Sequence, residues 1–180
     1  MPSWGTIQLA YISHAAEDIK LIAARHQPIY AKFKAFRSEI IEAALFIESR
    51  LELLLCRLYV GEDPQRELLF RSSVLDPESG TFMRKWQMLR EAFAILGVPG
   101  SCLDEKGRKQ LFTELKQLIS DRNKFAHGDL YIDARDGRPL LQYYEGVKKE
   151  DYLEDATIHQ ILKCAESLHR SIERVISAVK

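Results

Sequence analysis

The short segment at residues 121–128 combines residue types that can act together on a phosphodiester. It contains Arg122, Asn123 and His127 near the end of a predicted helix. The arginine guanidinium is a planar fork of donors that matches a phosphate group. Histidine is the side chain best suited to exchanging a proton near neutral pH. The segment therefore predicts a site that can hold the phosphate and move a proton of a phosphodiester.

The position of these residues on the helix indicates how their side chains are presented. Arg122 follows Leu118 and Leu115 at helical spacing, so it lies on the apolar stripe, where a charge needs a partner or a crevice. His127 lies about 140° further round an ideal helix, so both side chains could border one cleft between their directions. Asn123 precedes His127 by four residues and could orient its ring through a hydrogen bond.

The same residues also have a purely structural interpretation. Arg122 could pair with a buried carboxylate, and His127 could cap the helix C-terminus, where a cation is favoured by about 0.3–1 kcal/mol. Glu48 has similar alternatives, because its helical neighbours are largely apolar. We interpret Glu48 as a buried partner of Arg122 or of another cation, as an ordinary solvated glutamate, or as a catalytic group.

Basic residues outnumber acidic residues along the motif helix. Between residues 105 and 127, six positive residues, among them Lys116 and Lys124, accompany three negative residues. This surplus could guide a phosphate backbone to the motif, with Lys116 and Lys124 as contacts, or it could be an ordinary solvated helix face. Any nucleic-acid contact must come from such a local patch, because the whole chain has 26 basic and 26 acidic residues and no net charge.

Composition and spacing restrict the class of protein. A chain of 180 residues, of which 46% are hydrophobic, predicts one domain spanning residues 1–180. No apolar run approaches the ~20 residues that span a bilayer, and we expect no secretion signal. Three isolated cysteines, Cys56, Cys102 and Cys164, are typical of a reducing cytoplasm. We expect no metal and no cofactor, since ligand spacings and glycine-rich phosphate loops do not occur.

Apolar residues recur at helical spacing over most of the chain. This periodicity predicts an all-α fold, a helical bundle of about five or six helices. The predicted helices span approximately residues 4–25, 28–60, 63–73, 82–96, 105–127 and 154–179. Gly61 is predicted to end the second helix, and Pro28 is placed in its first turn.

One segment has strand character instead. Residues 130–132 and 140–144 are rich in aliphatic residues and tyrosine, and they flank the turn-forming dipeptide Asp136-Gly137. This pattern predicts a small β-hairpin over about residues 130–144, after the motif helix. Because an isolated hairpin is only marginally stable in water, we expect this hairpin to pack against the helices.

The sequence Arg-Asn-Lys-Phe-Ala-His at residues 122–127 resembles the Arg-x4-His motif of the HEPN superfamily. The likeness includes the polar residue after Arg122, the small Ala126 before His127, and Gly128 after it. HEPN proteins are all-helical domains. Many are metal-independent ribonucleases of toxin, abortive-infection and other defence systems, and some are binding modules. The segment from Glu48 to Gly97 also resembles the helical repressor of mannitol operons, a regulator without an obvious DNA-binding motif.

The HEPN resemblance implies roles for the motif residues and an assembly. Arg122 would hold the scissile RNA phosphate, His127 would act as general base or acid, and Asn123 would orient His127 or contact RNA. The products would carry 2′,3′-cyclic phosphates. Two protomers would pair with their motif helices facing across a twofold axis, and an antitoxin or regulatory protein is a candidate partner. The alternative is a non-catalytic helical dimer that binds or regulates a protein.

Overall fold

The computed structural model describes residues 9–10, 16–76, 80–97, 102–133 and 135–179, with the backbone alone for 9–10 and 16–25. Within this part of the chain the protein is mostly helical, with one small sheet. The elements in chain order are β1 (Leu9–Ala10), α1 (Ala16–Val60), α2 (Pro64–Ser73), α3 (Phe82–Leu96), α4 (Glu105–His127), β2 (Asp129–Asp133), β3 (Pro139–Glu145), β4 (Val147–Tyr152) and α5 (Asp155–Ala178). None of these helices combines the length and apolarity that a membrane span requires.

The chain forms two compact units, and their boundary falls inside α1, α4 and α5. The motif unit comprises residues 1–41 and 122–160, and the helical unit comprises residues 42–121 and 161–180. The sheet and the end of α4 belong to the motif unit. All of α2 and α3 belong to the helical unit, together with the larger parts of α4 and α5.

The helical unit is built on apolar stripes that recur every three or four residues. Each stripe lies on one face of its helix, so burying it removes a continuous apolar surface from water. Each fully buried aliphatic side chain stabilises the fold by about 1.5–3 kcal/mol. The large side chains that are fully buried in this unit include Ile47, Leu51, Leu54, Leu55, Leu89, Leu111, Leu115, Leu118 and Ile119.

Side-chain caps begin two of the helices in this unit. The carboxylate of Asp63 accepts hydrogen bonds from the backbone N–H groups of Gln65 and Arg66 at the start of α2. The hydroxyl of Thr81 accepts from the backbone N–H of Arg84 at the start of α3. Such caps satisfy donors that have no partner within the helix, which is why these boundaries follow local sequence closely.

The motif unit contains a four-stranded sheet with the order β1-β2-β3-β4. Strands β2, β3 and β4 are antiparallel, with Leu130 opposite Leu141 and Tyr143 opposite Lys149, whereas β1 pairs with β2 in parallel. Every residue of β4 is exposed. Charged side chains on an edge strand discourage pairing with further strands, so β4 suits the edge of the sheet.

The predicted hairpin is therefore larger in the structure. Strand β4 was not predicted, because its sequence Val-Lys-Lys-Glu-Asp-Tyr has no alternation of apolar and polar residues. It becomes a strand through its backbone pairing with β3 along six registered positions. The tight turn between the two strands is made by Gly146, whose φ of 72° is favourable only for glycine.

The predicted start of the chain is wrong in two respects. Residues 9–10 form a strand rather than part of a helix, because they pair with Ile132 and Asp133 of β2. Pro28 lies inside α1, which begins at Ala16, instead of starting a second helix. A proline removes one backbone hydrogen bond, and here the helix continues on both sides of it. The rest of the first predicted helix at residues 4–8 and 11–15 lies outside the described residues.

Candidate functional site

The motif lies where α4 ends and meets β2 with only Gly128 between them. The backbone N–H of Gly128 donates to the carbonyl of Lys124 over 2.7 Å. A methyl group at Gly128 would lie 2.5 Å from that same carbonyl oxygen and 3.0 Å from the carbonyl oxygen of Gln142 on β3. Only glycine allows this close approach. The backbone that carries His127 is consequently held between its helix and the sheet.

Arg122 is half-buried at this end of α4 and carries an incompletely satisfied guanidinium. Its Nη1 donates to Oδ1 of Asn123 over 3.1 Å. Its Nε is buried and has no hydrogen-bond partner. No ion pair joins Arg122 to a carboxylate within the described part of the chain. A buried donor without a partner costs about 1–3 kcal/mol. Because Nε is closed to solvent, an anion could approach only the other nitrogens of this half-buried guanidinium.

His127 is exposed to solvent at the last position of α4. The sequence predicted a hydrogen bond between Asn123 and His127, but Asn123 accepts from Arg122 instead. Asn123 as a whole is exposed to solvent. The last one and a half turns of α4 thus carry the solvent-exposed His127 and the hydrogen-bonded pair of Arg122 and Asn123.

Arg37 of α1 also reaches the motif, and the sequence interpretation missed it. Its Nη2 donates to the carbonyl oxygen of Ala126 over 2.9 Å. That carbonyl is one of the last in α4, which have no partner within the helix. A signal was present in the sequence, because Arg37 lies between Phe33 and Ile40 at helical spacing and interrupts a buried stripe. A charge on such a face requires a partner.

Lys124 is already engaged within the motif unit. Its ammonium lies 3.3 Å from a carboxylate oxygen of Asp151 and 4.7 Å from the centre of the Tyr143 ring. The hydroxyl of Tyr143 donates to the same Asp151 carboxylate over 2.9 Å. Burial lowers the pKa of Lys124, but its contacts with Tyr143 and Asp151 outweigh burial and leave the pKa raised. To bind RNA, Lys124 would have to exchange these partners for a phosphate.

Glu48 and Lys116, the other two predicted site residues, belong to the helical unit. Lys116 is exposed on α4. Glu48 accepts a hydrogen bond from Lys85 of α3 over 2.6 Å, and Glu52 accepts from the same ammonium over 2.6 Å. Arg71 adds a second cation to Glu52 over 3.1 Å. This geometry corresponds to the alternative in which Glu48 is a partner of a cation other than Arg122.

Comparison with known proteins returns no match: no family model, no curated protein and no solved structure is similar to this chain. Among the residues that the structure describes, no group of three or more His, Cys, Asp or Glu side chains is arranged to hold a metal ion. The candidate site is accordingly defined by its own residues, chiefly Arg122, Asn123 and His127, with Arg37 beside them.

Proposed function

We propose that this protein is a metal-independent endoribonuclease of HEPN type that acts in a toxin or phage-defence system. The observation that carries the proposal is the half-buried Arg122, which forms no ion pair with a carboxylate of the described residues, on the same helix end as the exposed His127. Buried arginines in structural roles are normally paired, because desolvating a charge is costly. An arginine that no carboxylate of the described residues neutralises, on the same helix end as an open histidine, suits an anionic substrate.

The proposed reaction uses the RNA's own 2′-hydroxyl as nucleophile. His127 accepts the proton of this hydroxyl while the 2′-oxygen forms a bond to the adjacent phosphorus. The bond from phosphorus to the 5′-oxygen breaks, and a protonated histidine supplies a proton to that leaving oxygen. Arg122 binds the phosphate and stabilises the negative charge that develops on it. The products are a 2′,3′-cyclic phosphate and a 5′-hydroxyl, and DNA is not cleaved because it lacks the nucleophile.

Asn123 and Arg37 act around these two residues in the proposal. Asn123 holds the Arg122 fork through its side-chain oxygen, and its amide nitrogen is free to orient His127 or to contact RNA once substrate is bound. Apo enzymes often form catalytic hydrogen bonds only in the complex. Arg37 positions the backbone before His127 through its bond to Ala126, so it serves as a positioning residue.

A homodimer completes the proposed site. One motif supplies a single histidine, whereas the reaction needs one group to accept a proton and another to donate one. Two copies related by a twofold axis would place a second His127 and a second Arg122 at the same cleft. The side chains of one copy diverge by about 140° on an ideal helix, which favours contributions from both copies to one phosphate.

Incubation of the purified protein with total RNA, with and without EDTA, tests this function. We expect cleavage in both conditions, cyclic phosphate ends on the products and an intact DNA oligonucleotide of the same sequence. The double variant Arg122→Ala/His127→Ala should be inactive. His159→Ala is a matched control, since it removes an exposed histidine of the same unit outside the motif. Cleavage by the folded double variant would contradict the proposal.

A regulatory module is the second candidate, and α2 favours it. No residue of α2 is buried, and Leu68 and Leu69 are 71% and 65% exposed. Adjacent exposed leucines are a feature of surfaces that bind protein partners. The same RNA assay separates the two candidates. A folded wild-type protein that leaves RNA intact would favour the regulatory module, whereas cleavage that depends on Arg122 and His127 would favour the nuclease.

A further inference from the structure

An open groove with a volume of about 770 Å³ lies between α3 and α4 in the helical unit. Among the described residues that line it are three basic side chains, two aromatic rings and several neutral polar groups, and none of these residues is acidic. The side chains that matter for its chemistry are Trp86, Arg90, Lys109, Phe112, Lys116 and Gln117. A concave surface with only positive charge concentrates anions.

The aromatic part of the groove is rigid. The indole Nε1 of Trp86 donates to the carbonyl oxygen of Phe112 over 3.1 Å. The ring of Phe112 meets those of Trp86 and Phe93 edge to face, with centroids 6.4 Å and 5.7 Å apart. The Arg90 guanidinium lies over the Trp86 ring at 4.9 Å. This stack holds a flat cation at the surface of the groove, where its outer side can receive another planar group.

The basic groups of the groove have little competition from carboxylates. Arg90 and Lys116 form no ion pair with any carboxylate of the described chain. Lys109 pairs with Glu105 over 2.6 Å, but both side chains are about 70% exposed. An ion pair so open to water is weak and exchanges readily for a phosphate. All three cations are therefore available to an anionic ligand.

We propose that this groove binds a segment of single-stranded RNA. Lys109 and Lys116 contact successive phosphates, while a base stacks on the outer side of the Arg90 guanidinium. Gln117 donates one amide N–H to Asp121 over 3.0 Å, and its second N–H and its oxygen can contact a base edge or a 2′-hydroxyl. A duplex fits less well, because its bases are already stacked and cannot reach Arg90. The inference concerns binding alone and does not depend on cleavage at His127.

Fluorescence anisotropy with a labelled single-stranded RNA tests this assignment. All proteins in the series carry His127→Ala, so the RNA stays intact during the titration. We expect Lys109→Ala/Lys116→Ala to raise Kd roughly fivefold to tenfold, and to reduce the slope of log K against log salt by about 0.7 for each lost phosphate contact. Lys163→Ala, which removes an exposed lysine of α5 outside the groove, should change neither quantity.

Base contact is tested separately with RNA that carries 4-thiouridine. Irradiation should join the RNA to peptides that contain Trp86, Arg90 or Phe112. Cross-links confined to other peptides would contradict the stacking arrangement. The proposal would be overturned by an unchanged Kd in the folded double variant, or by equal affinity for duplex RNA or polyglutamate. If the groove variants weaken RNA binding but the wild-type protein does not cleave RNA, the proposal of an RNA-binding groove would stand and the proposed nuclease activity would be contradicted.

Discussion

Arg122 and Lys85 are both cations that the fold removes at least partly from water, and their surroundings differ. Lys85 is only 4% exposed, and its ammonium donates to Glu48 and Glu52 over 2.6 Å each. Burial lowers the pKa of Lys85, but the two carboxylates outweigh burial and raise it. Within the part of the chain that the structure describes, Arg122 has no carboxylate partner, and one of its donors is buried without an acceptor.

This difference separates a charge that is neutralised within the fold from the one that we propose binds a ligand. The Lys85 cluster is neutralised within the helical unit, so it holds α1 and α3 together and leaves little field for an outside anion. The unpaired Nε of Arg122 costs stability, and the hydrogen bond from Nη1 to Asn123 does not satisfy it. Exceptions of this kind are expected where a residue is kept for function.

The largest expected effect is on catalysis. Replacement of His127 by alanine should lower the rate of RNA cleavage by about 10²–10⁴, the usual contribution of a positioned acid or base. The variant should unfold at the same urea concentration as wild type, since an exposed residue at a helix end contributes little. Initial rates on a defined RNA measure this effect. Wild-type rates in folded His127→Ala would remove this residue from the mechanism.

Replacing Lys85 is expected to reduce the stability of the fold more than replacing Arg122. Lys85→Met should lower the free energy of unfolding by on the order of 3 kcal/mol, because it leaves the half-buried carboxylate of Glu48 without a cation and Glu52 with Arg71 alone. Arg122→Met should change it by less than about 1 kcal/mol, since its removal also eliminates an unsatisfied donor. Urea unfolding at neutral pH measures both values.

A compensating variant checks the physical reason for this ranking. Adding Glu48→Gln and Glu52→Gln to Lys85→Met removes both carboxylates that lost Lys85, while Arg71 keeps its ion pair with Glu67, and this should recover much of the lost stability. If the triple variant is as unstable as Lys85→Met alone, the loss of stability comes from packing of the lysine side chain. That result would contradict the electrostatic explanation for the difference between Lys85 and Arg122.

If both protomers of the proposed homodimer contribute residues to one site, two inactive variants should complement each other. Mixed dimers of Arg122→Ala and His127→Ala chains contain one intact copy of each residue at the shared site. Unfolding and refolding the two variants together should therefore give several-fold more cleavage than either alone, although less than wild type. Sedimentation should report about twice the 20.8 kDa chain mass. A strict monomer that still cuts RNA would exclude a shared site.

A smaller effect concerns a compensated charge within the motif unit. Asp133 accepts hydrogen bonds from Arg135 over 2.7 Å and from the Tyr152 hydroxyl over 2.7 Å. Arg135 first and Tyr152 second hold the pKa of Asp133 well below its usual range. A lowered folded-state pKa contributes stability that is complete above the unfolded value of about 3.9 and is lost as the pH falls below it.

Asp133→Asn should consequently be less stable than wild type at pH 7, and the two proteins should converge as the pH falls through about 4 and below. Thermal or urea unfolding between pH 3 and pH 7 measures the difference. A constant difference across this range would assign the loss to hydrogen-bond geometry instead of charge. Arg135→Gln, which keeps the carboxylate, should show the same direction with a smaller amplitude.

Several elements were predictable from local sequence. The predicted helices at residues 82–96 and 105–127 are confirmed as α3 and α4 with the same bounds. Their apolar periodicity is strong, and a glycine follows each of them. The motif residues Arg122, Asn123 and His127 were also identifiable, because they lie within a single helical segment where spacing determines direction.

Other features depended on partners far away in sequence. Arg37 reaches Ala126 across 89 residues, and Lys85 reaches Glu48 across 37 residues. Strand β4 exists because β3 offers it a backbone to pair with. The interrupted stripe around Arg37 indicates that this charge needs a partner, but the sequence does not identify the partner, since side-chain pairs and strand registers are set when segments meet.

The sequence by itself determined the helical character, the ends of α3 and α4 and the residue types of the motif, because these depend on interactions within one or two turns of helix. Only the tertiary structure decided which charges are neutralised. Lys85 acquired two carboxylates, Asn123 bonded to Arg122 instead of His127, and Arg122 was left with a buried donor. The physical reason is that desolvation and pairing act between segments distant in the chain, and those interactions make one cation structural and leave another available to bind an anion.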